Sequence, residues 1–197
     1  MKKVILLGDS IRAWYSHRVK ELLEGKCEVY YAEGDNGRFT YYSLWQLASL
    51  LETTGKVDLV HFNNGYWDIG GAPFLDRPLF TTEEYTYGLK RIIELARAAG
   101  AKPVFATTTP LPADNHAQDN TGTGAVFNLE KESVKIYNEA ALKLMKEENV
   151  PVNDLYTLCK QDKRYYKCED NLHHSAEGNE IIAQQVAKVI LEQLGIE

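Results

Sequence analysis

Short apolar runs alternate with helical patterns along the chain, and this alternation constrains the fold more than any other feature of the sequence. Strand-like runs fall at 4–7, 28–32, 59–62, 103–107 and 151–153, and helical patterns lie around 13–23, 41–51, 82–99, 129–148 and 176–194. Such a succession predicts an α/β chain folded as a three-layer α/β/α sandwich: a five-stranded parallel sheet, right-handed crossovers, and helices on both faces. A length of 197 residues, 44% of them hydrophobic, suits one globular domain over 1–197 that buries roughly 70% of its unfolded surface.

The first run, Val4-Ile5-Leu6-Leu7, stops at Gly8-Asp9-Ser10 and gives way to a helical pattern. A buried parallel strand ending there delivers a serine hydroxyl to the carboxyl edge of the sheet, where open α/β sheets place their ligands. Ser10 has two readings: a nucleophile, or the N-cap of the following helix. Asp9 suits bracing the turn by hydrogen bonds better than acting as an acid. Near the other end, Asp170-Asn171-Leu172-His173 sets a carboxylate three residues before an imidazole. A serine hydroxyl attacks only when a base takes its proton, and the base needs a third group to fix its tautomer and orientation. Asp-x-x-His supplies both from one turn; its plainer reading is a solvated polar loop turned by Asp170. His174 competes for the role of base, and the offset from Asp170 selects His173. His61, in a strand, reads as a core or edge histidine.

With these two blocks the sequence resembles the SGNH or GDSL hydrolases, a family of esterases, lipases, thioesterases and carbohydrate deacetylases. The resemblance implies a flavodoxin-like SGNH hydrolase fold, with Ser10 as nucleophile, His173 as base and Asp170 as its orienting acid. It extends to Asp35-Asn36-Gly37-Arg38-Phe39-Thr40, where the family's second block carries a glycine. That match implies an oxyanion hole in which the Gly37 N–H joins the Ser10 N–H. Asn63-Asn64-Gly65-Tyr66-Trp67-Asp68 stands where the third block reads Gly-x-Asn-Asp. Gly65 and Asp68 match, but Trp67 occupies the place of the asparagine. The donor expected at the oxyanion is then Asn64, with Asn63 beside it and the Trp67 indole as alternatives, although both asparagines also suit turn hydrogen bonds after a strand.

Composition narrows the partners. Lys and Arg number 22 against 28 Asp and Glu, a net charge of −6, and the basic residues are scattered rather than clustered. Neither nucleic acid nor stable membrane association is expected from that pattern. Cys27, Cys159 and Cys168 show no Cys-x-x-Cys or Cys/His metal spacing and read as reduced thiols, with Cys159 and Cys168 as the pair to check. No metal or organic cofactor is expected. Lys2-Lys3 and the four apolar residues after them fall short of the roughly 7–15 residues of a secretory apolar segment, so a cytoplasmic location is the default expectation.

Two irregular segments flank the motifs. The loop from Thr107 to Gly124 is a candidate lid or substrate wall, and the segment from Gly70 to Pro78 carries Arg77. Trp67 and Arg77 are candidate substrate contacts; Arg77 also suits an ordinary surface ion pair. Tyr66, Trp67 and Phe74 near the mouth suit stacking on a sugar or aryl ring, and suit core packing equally. The expected reaction is hydrolysis of a small acyl ester, acetyl above all, on a carbohydrate or other polar alcohol through an acyl-enzyme. The alternatives are a lipase or thioesterase for longer acyl chains, and a non-catalytic domain that binds a glycan or metabolite. Gly8-Asp9-Ser10 lacks the glycines of a phosphate-cradling loop and the acidic cluster of a phosphoacceptor.

Overall fold

Strand β1 (Lys2–Gly8) is buried from Val4 onward, because it lies inside the sheet with a partner strand on each edge. The computed structural model describes residues 1–70, 77–114, 129–161, 170 and 172–197. β2 (Cys27–Tyr30), β3 (Leu59–Asn63), β4 (Lys102–Ala106) and β5 (Val152–Asn153) complete a five-stranded parallel sheet in the order β2-β1-β3-β4-β5. The helices are α1 (Ser10–Leu22), α2 (Thr40–Thr54), α3 (Tyr66–Ile69), α4 (Thr82–Ala98), α5 (Lys131–Glu147), α6 (Leu155–Lys160) and α7 (Ala176–Leu194). α1 packs against α7, while α2 packs on α4 and α4 on α5, which gives the layers predicted from the alternation.

The strand order reverses once. From β1 the chain steps outward to β2, then crosses back over β1 to β3. The crevice between the carboxyl ends of β1 and β3 is therefore the topological switch point, where doubly wound sheets bind ligands. Register fixes what meets there: Leu7 lies opposite Phe62, and Gly8 opposite Asn63. One apolar core, including Leu6, Tyr15, Phe62, Ile92, Phe105 and Ile190, joins the strands to the inward faces of the helices.

The structure differs from the sequence-based expectation at several points. α1 begins at Ser10 rather than near 13, because Asp9 caps it. α5 begins at Lys131 rather than 129, and Leu129 is instead fully buried. Two short helices, α3 and α6, were not predicted; α6 is started by Asp154, whose side chain accepts from the Thr157 N–H. Cys27 and Cys159 are buried free thiols, and burial pushes the Cys159 thiol up to about 12. Phe74, Cys168, Asn171 and the loop from 115 onward lie outside the described residues. Among those described, no helix is long and apolar enough to cross a membrane.

Candidate active site

Gly8 is where β1 turns into the site. It has φ of 144°, and a Cβ there would sit 2.3 Å from Asn63 Oδ1 and 2.4 Å from the Asn63 carbonyl oxygen, so only glycine lets β1 and β3 end side by side. Asp9 follows, fully buried. Its Oδ1 accepts from the Ile11 N–H at 3.0 Å and from Asn63 Nδ2 at 3.1 Å. Asp9 is thus the helix cap and the brace of the turn, and Ser10 is the first helical residue rather than the cap. Burial lifts the Asp9 carboxyl to about 6 in spite of those two bonds.

The other end is assembled by a local turn. Asp170 Oδ1 accepts from the backbone N–H groups of Leu172 and His173, both at 2.9 Å, and its Oδ2 lies 2.9 Å from His173 Nδ1. His173 Nε2 in turn lies 2.8 Å from Ser10 Oγ. A carboxylate only accepts, so Nδ1 carries the ring proton and Nε2 is left with the lone pair that receives the serine O–H. Partial burial pushes the Asp170 carboxyl upward, but the Leu172 N–H and the His173 ring and N–H outweigh it and hold the group below its usual range. His174 faces the interior instead, buried, with Nε2 at 3.2 Å from Thr109 Oγ1. Ser175 then caps α7 by accepting from the Gly178 N–H, which fixes the base turn to a helix packed on α1.

The structure brings Ser10, His173 and Asp170 into one hydrogen-bonded row, and it places the expected donors around them in bonds of their own. The Gly37 N–H donates to the Gly8 carbonyl at 2.8 Å, and a Cβ on Gly37 would stand 2.3 Å from that same oxygen. Both hydrogens of the Asn64 amide are also engaged, donating to the Arg38 carbonyl and to Ser43 Oγ, each at 2.9 Å. Neither group is an open donor toward Ser10. Their geometry gives them a bracing role: Asn64 pins the carbonyl of Arg38, a non-glycine residue at φ of 48°, and Gly37 ties that loop to the end of β1. Asn63 is spent on Asp9 as described. Of the two expected substrate contacts, Trp67 is half-buried on α3, and exposed Arg77 donates to the neighbouring Pro78 carbonyl. Tyr66 is core rather than mouth, its hydroxyl donating to the Thr109 carbonyl at 2.6 Å.

Asp68 completes the support. Its Oδ1 accepts from the Thr40 N–H at 3.0 Å, capping α2 from outside that helix. Burial raises this carboxyl to about 7, partly offset by the Thr40 bonds. His61, also fully buried, is held neutral by burial with its pKa lowered to about 4, and its Nε2 faces Asn153 Nδ2 at 3.1 Å.

Two residues escaped the sequence reading. Arg12 is almost wholly buried, and its guanidinium donates to the carbonyls of Gly8, Ala32 and Asp35. It thereby joins the loops after β1 and β2. Trp14 stacks on His173 with ring centroids 5.1 Å apart and planes 21° from parallel. A helical spacing of four from Ser10 put Trp14 on the nucleophile's side of α1 and was the available signal; nothing comparable marked Arg12.

The five-stranded parallel sheet and its strand order give the chain the fold of the SGNH or GDSL hydrolases. Solved structures carry the comparison across nearly the whole chain. A lipase/acylhydrolase from Enterococcus faecalis superposes with a TM-score of 0.74 at 22% identity, covering 98% of this chain and 97% of that one. A carbohydrate acetylesterase from Sinorhizobium meliloti gives 0.75 at 16% identity, over 98% of this chain and 100% of the other. An acetyl xylan esterase gives 0.72 at 18% identity, over 95% and 99%. No family model matches the chain. A GDSL esterase/lipase from Oryza sativa subsp. japonica is 25% identical over 119 residues, which is 58% of this chain and 46% of that protein's length. This chain therefore spans about half of the curated relative it matches.

Proposed function

We propose that the chain is a serine ester hydrolase working through an acyl-enzyme. The observation that carries this reading is the row Ser10 Oγ to His173 Nε2 at 2.8 Å and His173 Nδ1 to Asp170 Oδ2 at 2.9 Å, set at the switch point of the sheet. His173 takes the Ser10 proton as the hydroxyl oxygen attacks an ester carbonyl, and Asp170 steadies the imidazolium that results. The carbonyl electrons move to an oxyanion facing the start of α1. Ser10, as the first residue of that helix, has a backbone N–H with no partner inside it, and the helix dipole adds positive potential there. His173 then returns its proton to the leaving alcohol, and water repeats the sequence to free the acid and Ser10. Gly37 and Asn64 brace the loop before α2, buried Asp9 braces the turn that carries Ser10, and buried Asp68 caps α2.

For the substrate, we propose a small acyl group, acetyl in the first instance, on a carbohydrate or other polar alcohol. The names of two fold neighbours, an acetyl xylan esterase and a carbohydrate acetylesterase, support that class, as does an exposed tryptophan beside His173. Trp67 and Arg77 remain the proposed substrate contacts. A second reading, a binding domain without turnover, draws on the engaged Gly37 and Asn64 donors. Release of p-nitrophenol from acetate, butyrate and octanoate esters separates the readings, together with intact-mass analysis after a serine-reactive phosphonate. Wild type is expected to turn over the acetate ester fastest and to gain one adduct. Ser10→Ala is expected to lose both while melting at the wild-type temperature. Turnover that survives in Ser10→Ala removes the nucleophile assignment, and a preference for octanoate removes the small-acyl class.

A further inference from the structure

His173 is held at its two ring nitrogens, by Asp170 Oδ2 on one side and Ser10 Oγ on the other. Both contacts lie in the ring plane and, with the Cβ–Cγ bond, hold the imidazole by its edge, while its faces are set by packing. Trp14 is a plate against one of those faces, stacked at 5.1 Å and 21° from parallel. It stands one helical turn after Ser10, so nucleophile and plate share a rigid element. Trp14 is also 45% exposed.

The face of an indole attracts a cation lying over it within about 6 Å, more strongly than any other side chain's ring. Among the described residues, the charged groups shown acting with His173 are Asp170 from its own turn and Asp9 from the cap of α1. From α7, Glu180 is already paired with Arg18 of α1 at 2.7 Å. Asp170 meets the ring at its Nδ1 edge, whereas Trp14 meets its face. We infer that Trp14 is a positioning residue for His173, fixing the plane of the imidazole and favouring the imidazolium formed when Ser10 gives up its proton.

The consequence for rate rests on the hydrolase reading, whereas the effect on the ring does not, so the test begins with the ring. The full chain, labelled with 15N-histidine, is titrated by NMR as wild type, Trp14→Leu and Trp14→Tyr. Removing the aromatic face withdraws stabilisation from the cation, so the His173 midpoint in Trp14→Leu is expected to fall by about 0.4–0.7 pH unit. Trp14→Tyr is expected to recover most of that shift. In the hydrolase assay the acidic limb of kcat/KM should move down by the same amount in Trp14→Leu, with kcat lowered and KM little changed. An unshifted His173 midpoint in Trp14→Leu overturns the inference, whatever happens to activity. A raised KM with the midpoint unmoved also overturns it and makes Trp14 a wall of the substrate site. A wild type that neither turns over esters nor takes a phosphonate on Ser10 defeats the hydrolase reading, and the NMR midpoint still decides the role of Trp14.

Discussion

Ser10 and His173 reach the same hydrogen-bonded row by opposite means. The Gly8-Asp9-Ser10 turn is shaped by the core: the β1–β3 register puts Asn63 beside Gly8, Asp9 is fully buried beneath Ser10, and Arg12 reaches across to the next loop. The Asp170–His173 turn is shaped by itself. One carboxylate accepts two backbone N–H groups and the imidazole within four residues, and the Asp170 side chain is 40% exposed. A serine turn fixed by the whole sheet and a histidine fixed by one turn of its own answer differently to mutation. Damage to the residues that brace Ser10 should register as lost stability, and damage to the His173 turn, on the proposed reading, as lost rate in an intact fold.

Asp170→Asn gives the largest expected effect. The asparagine carbonyl can still receive the backbone N–H groups, but its amide faces Nδ1 and selects the wrong tautomer, so kcat should fall by about 10⁴. Thermal unfolding should hardly move, and a large drop in melting temperature would show that the base turn supports the fold after all. Gly8→Ala comes next. Its Cβ would meet Asn63 at 2.3 Å in a backbone region unfavourable to alanine, and a loss of about 3 kcal/mol or more is expected in denaturant unfolding. Near-native stability in that variant would break the contrast from the other side.

The smallest effect is a pH dependence. The folded-state pKa of Asp68, about 7, lies above its unfolded value of 3.8, so between those values the unfolded chain has released a proton that the folded chain keeps. Stability therefore falls as pH rises from about 4 to about 7 and is flat beyond. Asp68→Asn keeps an acceptor for the Thr40 N–H but has no charge to bury, so its gain over wild type should grow by about 2–4 kcal/mol across that window. Melting curves at pH 5 and pH 8 check this. An equal difference at both would mean that Asp68 ionises freely and that its end of the scaffold is not dry.

Much of this was legible before any coordinates. Val4 to Leu7 and Leu59 to Phe62 announce buried parallel strands because such strands are apolar on both faces, and motifs placed after strands fall at one sheet edge by topology alone. The pairing of Ser10 with His173 followed from chemistry, since each residue type is idle without the other. The donors were not legible. Whether the Asn64 amide is open or spent depends on Arg38 and Ser43, which arrive from the loop before α2 and from α2 itself. Tyr66, an aromatic beside a motif, was as well suited to the mouth as to the core, and only the Thr109 carbonyl behind it decided between them. Arg12 shows the same limit: a charged residue in a helix reads as solvated until three backbone carbonyls are found around it.

Ser10 and His173 stand 163 positions apart in the chain, and that separation sets a schedule on the ribosome. At about 5–20 residues per second, Ser10 is synthesised roughly 8–30 s before His173. β1 at first has no β3 to pair with, and the turn that shapes Ser10 waits for Asn63. A nascent chain thus carries a serine without its histidine until α7 folds back onto α1, so on the proposed reading no ester-cleaving fragment is released along the way.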